Sequence, residues 1–120
     1  MSLYTYKARL DRVVDGDTVD VVIDLGFDIF HKCRCRLYGI NTPESRTKDL
    51  QEKERGLAAK AYVVDWFNWN KDCYIQTQKD GKGKYGRILA KIYADEEMTV
   101  CLNEQLIDSG HAVEYFGGAR

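Results

Sequence analysis

The sequence has almost no proline. Pro43 is the only one in 120 residues, so proline-rich linkers and polyproline ligands are excluded. It also lacks an apolar run long enough to cross a membrane as a helix. The opening MSLYTYKARL holds no apolar h-region, so no signal peptide is expected in it. Localisation stays open, because a leader removed in processing leaves no trace. Neither sign of charge is in excess: 18 Lys and Arg stand against 19 Asp and Glu, for a formal net charge of −1. A broad basic face is therefore not expected, and any contact with nucleic acid must rest on a local basic site. The four cysteines, Cys33, Cys35, Cys73 and Cys101, are not spaced as a disulfide framework. They suggest reduced thiols and a cytoplasmic setting. His31, Cys33 and Cys35 share one face of a strand, but the usual Cys-x2-4-Cys pair and a fourth ligand are missing. A buried or half-buried strand is expected there rather than zinc.

What is present suits one domain spanning 1–120. The apolar fraction is 44%, enough for a real core at this length, and no repeat or linker divides the chain. Tyr4, Tyr6, Ala8 and Leu10 alternate with polar residues, which predicts a first strand. Residues 18–25 predict a second, with Val19, Val21 and Ile23 on one side. Residues 27–40 read as a long third strand, broken by Asn41-Thr42-Pro43-Glu44-Ser45, because Pro43 lacks an amide donor and holds Thr42 extended. Leu57, Ala61 and Val64, with Ala58, Tyr62 and Trp66 nearby, predict a helix over roughly 53–69, with Gly56 as a candidate for its true start. Asp72 to Gln78 and Ile88 to Tyr93 predict a fourth and a fifth strand. Thr99 is expected to cap a second helix carrying Leu102, Leu106 and Ile107, closed by Gly110. The expected fold is mainly β with helices (α+β). It is a five-stranded OB-type barrel with one helix after strand 3 and one after strand 5.

Three segments carry chemistry. The first is Val13-Val14-Asp15-Gly16-Asp17-Thr18-Val19, where Asp-Gly between apolar runs predicts a hairpin turn and Gly16 is expected to supply a positive φ. The second runs from Arg36 to Asn41, Thr42 and Glu44. The third is Lys84-Tyr85-Gly86-Arg87. Hard oxygen donors beside paired arginines suit metal-assisted phosphodiester cleavage. A divalent cation polarises the phosphate, a carboxylate positions or deprotonates a water, and guanidinium groups match the phosphate oxygens.

These segments, in this order and with Leu89-Ala90 after the third, resemble the staphylococcal nuclease (thermonuclease-like) family from about Arg12 to about Val113. The resemblance implies a five-stranded OB-type barrel with helices and a calcium-dependent nuclease acting on DNA or RNA. It implies that Asp17 and the Thr42 carbonyl hold the metal, usually Ca2+. Glu44 would act on the attacking water, Arg36 and Arg87 would clamp the phosphate, and Lys84 and Tyr85 would contact a terminal or neighbouring phosphate. Asp15 would stand behind the metal's ligands. The family commonly has Asp where this chain has Asn41, whose amide oxygen can still ligate calcium. Tyr115 and Phe116 are candidates for stacking on a base, as aromatics do in single-strand sites.

Two other readings compete. A non-catalytic OB-type nucleic-acid-binding module of the same fold need not keep Glu44, Arg36 and Arg87, and Asn41 is the feature in its favour. A protein-interaction barrel would use Trp66, Phe67 and Trp69, which are instead expected to fill the helix–barrel core. The expected partner is nucleic acid, single-stranded DNA or RNA, bound by a monomer with no membrane.

Overall fold

Two runs of alternating apolar residues pair first. In a computed structural model describing residues 5–82 and 88–115, β1 (Thr5–Asp15) and β2 (Thr18–Asp24) form an antiparallel hairpin around Gly16 and Asp17. Val19, Val21 and Ile23 turn inward, as their period of two requires. Breaks in register between Leu10 and Arg12, and between Val13 and Asp15, bend β1 so that the sheet can close. Beyond β2 the chain reverses through Gly26, Phe27 and Asp28, all left-handed, at φ 84°, 56° and 61°. The long third strand expected over 27–40 is thereby corrected. It starts later, as β3 (Phe30–Leu37), and stops at a turn where Gly39 has φ 80°; a separate β4 (Ile40–Asn41) follows.

The fourth and fifth expected strands are β5 (Asp72–Lys82) and β6 (Ile88–Tyr93). Strands 1, 2, 3, 6 and 5 close into a barrel in that order. Among the described residues its one parallel pair is β3 with β6, aligned at Cys35 and Ile88. Val19, Val21, Cys35, Leu37, Cys73, Ile75, Ala90 and Ile92 are fully buried in the interior. The four cysteines are free thiols. Cys35 and Cys73 are core residues and His31 is exposed; burial pushes the Cys73 thiol up to about 12.

Helix α1 (Leu50–Trp69) begins three residues before the expected 53. Asp49 caps it, its carboxylate accepting from the amides of Gln51 at 3.0 Å and Glu52 at 3.2 Å. Gly56 therefore lies inside the helix and does not start it. The buried face is also corrected. Gly56, Ala59, Val63, Trp66 and Phe67 face the protein, whereas Leu57 and Val64 are 48% and 38% exposed. Both stripes have helical spacing; the helix docks on the one whose small residues allow close approach. Trp66 and Phe67 join the core as expected, but Trp69 is 88% exposed at the helix end.

Helix α2 (Leu102–Asp108) buries Leu102 and Leu106. Thr99 does not cap it, because its amide and hydroxyl both bind Asp95; Cys101 holds the cap position. Gly110 closes the helix as expected, at φ 84°, donating to the Ile107 carbonyl. The side chain of Asn103 accepts from the Ile92 amide at 3.2 Å and donates to the Tyr38 carbonyl at 2.8 Å. It thus ties α2 to the turn between β3 and β4. The chain then returns as β7 (Val113–Glu114), paired with β4, an element that sequence pattern did not suggest.

Candidate active site

The hairpin turn is shaped by space rather than by left-handed backbone. Gly16 has no positive φ, contrary to the expectation for Asp-Gly. A Cβ there would lie 2.8 Å from the Ala59 Cβ and 2.9 Å from the Thr42 hydroxyl oxygen. Glycine is needed because α1 and the Thr42 segment press on the turn. Asp15 accepts from the Gly16 amide at 3.0 Å and so stays within the turn.

Asp17 is the centre of the assembly. Its main-chain carbonyl accepts from the Leu37 amide at 2.8 Å, which fixes the turn to the end of β3. One carboxylate oxygen accepts from the Thr18 hydroxyl at 3.1 Å. The other accepts from the Thr42 amide at 3.3 Å and lies 3.6 Å from an Arg36 Nη. The side chains of Arg36 and Asp17 are 15% and 14% exposed. This pair is therefore largely shielded from water, where charges act more strongly on each other.

Arg36 is held as firmly as it holds. Its Nη1 donates to the carbonyls of Leu37 and Ile40, both at 3.0 Å. Its Nη2 donates to the Asn41 amide oxygen at 3.3 Å. The Tyr115 ring centroid lies 6.0 Å from its Cζ, because the Tyr115 amide donates to the Gly39 carbonyl at 2.9 Å just past β7. The structure thus brings together Asp17, Arg36, Asn41, Thr42 and Tyr115. Glu44 lies two residues past Thr42 and is exposed. Its carboxylate makes no hydrogen bond or ion pair with another described residue. Lys84, Tyr85, Arg87 and Phe116 lie outside the described residues.

The atoms near Asp17 that could ligate a cation are oxygens, and among the described residues no three His, Cys, Asp or Glu side chains gather as a metal cluster. The Thr42 hydroxyl is buried with no hydrogen-bond partner among the described residues. One carboxylate, one amide oxygen and spare oxygens from Thr42 fit a hard divalent cation better than zinc. Sequence reasoning missed Thr18, Gly56 and Ala59. Thr18 was legible as the neighbour of Asp17, but Gly56 and Ala59 act through packing.

Residues 34–119 match the family described as Staphylococcal nuclease homologue. The chain belongs to this family. The match takes in Arg36, Asn41, Thr42 and Glu44, and the closed five-stranded barrel with two helices agrees with the OB-type fold. Proteins similar to the chain include a thermonuclease of Staphylococcus intermedius, 33% identical over 87 residues. That alignment covers 72% of this chain and 48% of the relative. An uncharacterised endonuclease of Escherichia coli is 31% identical over 113 residues, covering 89% of this chain and 60% of the relative. Endonuclease YhcR of Bacillus subtilis is 26% identical over 116 residues, covering 92% of this chain and 9% of the relative. The chain thus spans less than two thirds of each of these relatives.

Proposed function

We propose that this chain is a metal-dependent nuclease that hydrolyses phosphodiester bonds of DNA, RNA or both, acting as one domain and as a monomer. The observation that carries this reading is the shielded meeting of Asp17 and Arg36 at 3.6 Å, with the Thr42 amide on the same carboxylate oxygen. An anionic oxygen ligand and a phosphate-matching fork there share one wall. Membership of a family whose relatives include proteins named thermonuclease and endonuclease supports it.

In this reading Asp17, Asn41 and the Thr42 carbonyl hold the cation, with Ca2+ the ion expected. A bound divalent cation supplies charge that polarises the scissile phosphate. Arg36 and Arg87 bind the phosphate oxygens and offset the charge that grows on them. Glu44, exposed and uncommitted among the described residues, orients the attacking water and takes its proton at a carboxylate oxygen. Lys84 and Tyr85 hold a neighbouring phosphate. Tyr115 offers its ring to a base of a single strand.

The rival reading is an OB-type binding module without turnover. One observation favours it: Asn41 brings no charge, so Asp17 is the lone carboxylate in the assembly. A cleavage assay on single-stranded DNA separates the two. Cleavage is expected with calcium and is lost in excess chelator. Undiminished activity in chelator would sink the metal assignment, and binding without cleavage under both conditions would establish the rival.

A further inference from the structure

Glu44 is the proposed site residue whose carboxylate meets no hydrogen-bond or ion-pair partner among the described residues. What the described residues fix is its backbone. That backbone lies against α1. A Cβ at Gly56 would sit 2.4 Å from the Glu44 carbonyl oxygen, 2.5 Å from its carbonyl carbon and 2.6 Å from the Ser45 nitrogen. No side chain fits in that gap, and the far atoms are main chain, which cannot swing aside. One turn further on, Ala59 is fully buried, and its Cβ is what a side chain at Gly16 would strike. Gly16 precedes Asp17.

Positions 56 and 59 are three apart and share one helix face. We infer that α1, through Gly56 and Ala59, is a positioning element that sets where Glu44 stands relative to Asp17. The inference rests on the nuclease reading above. A glycine deep inside a helix ordinarily weakens it relative to alanine. Here the glycine lets the helix backbone and the Glu44 segment touch, so that both acidic residues take their positions from a single stiff element. Misplacing a catalytic group by about 1 Å is enough to cost about a hundredfold in rate.

The test is a double-mutant cycle on the full chain, with folding checked by circular dichroism. Gly56→Ala is expected to lower kcat by about a hundredfold with little change in KM. On a Glu44→Gln background the same substitution is expected to change the residual rate by less than about threefold, since residues acting as a unit are not additive. Equal fold losses on both backgrounds would show a general structural effect and overturn the inference. If Gly56→Ala does not fold, Ala59→Gly, which adds no atom, goes through the same cycle. Loss of rate on the parent alone supports the inference, and equal losses overturn it. A parent that does not cleave, or a Glu44→Gln variant that cleaves normally, overturns the underlying assignment as well. Additivity with an impaired Glu44→Gln overturns only the positioning role.

Discussion

Arg36 engages the protein before any phosphate arrives. Its Nη1 is committed to the Leu37 and Ile40 carbonyls, so the guanidinium bridges the turn at Gly39 and joins β3 to β4. Only the Nη2 side reaches toward Asp17 and Asn41. A lysine keeps the charge but cannot span two carbonyls and a carboxylate at once. Arg36→Lys is therefore expected to lower kcat by at least about a hundredfold, the scale of losing one transition-state donor. It should also lower stability by about 1–3 kcal/mol, through buried acceptors left unpaired. Steady-state kinetics and urea unfolding measure the two separately. An unchanged unfolding midpoint would show that the carbonyl bonds contribute nothing. The order of motifs made Arg36 legible as a phosphate residue. Its structural bonds were not legible, because the left-handed Gly39 that creates them sat inside what read as one strand.

At the level of elements, the barrel strands were legible because burial on one face leaves a period of two, as Val19, Val21 and Ile23 show. Helix α1 was legible in existence but not in orientation. Its two apolar stripes differ by one residue, and the close approach at Gly56 and Ala59 belongs to the buried one. The outer barrel face shows what register adds. Arg12 lies opposite Asp20 across β1 and β2, and Arg34 lies opposite Asp20 across β2 and β3. Asp20 pairs with Arg34 at 2.8 Å and with Arg12 at 3.2 Å. The Arg34 hydrogen bond above all, and then Arg12, hold its carboxyl below the ordinary 3.8. A lowered folded-state value means that this contribution is fully present above about pH 4. It is lost as pH falls through the folded value below that. Asp20→Asn is expected to cost about 1 kcal/mol at neutral pH, as a small cross-strand charge network does. The difference from the parent should close in acid and shrink in high salt. Urea unfolding at pH 7 and at pH 3 checks this, and a difference that grew in acid would show that the network does not stabilise the strands.

For the molecule as a whole, charge balance decides how a polyanion is bound. The net charge is −1, and the cations of the barrel face are largely answered by its own carboxylates. Arg9 pairs with Asp72, Lys32 with Asp11, and Arg12 and Arg34 with Asp20. A nucleic acid strand lying on that face would have to displace those partners and would meet the same carboxylates. In the proposed reading, binding rests instead on Arg36, Lys84 and Arg87. Each phosphate neutralised on a single strand contributes about −0.7 to the slope of log K against log salt. A few such contacts predict a slope of about −1 to −3, shallow for a nucleic-acid-binding protein. Fluorescence anisotropy with a short labelled single strand, titrated from low to moderate salt in calcium with Glu44→Gln to suppress cleavage, measures it. Neutralising Lys32 or Arg9 should leave the slope unchanged, whereas Lys84→Ala should make it less negative by about 0.7. A slope much steeper than −3, or one that responds to Lys32, would mean that the strand runs across the barrel face and that its ion pairs open to receive it.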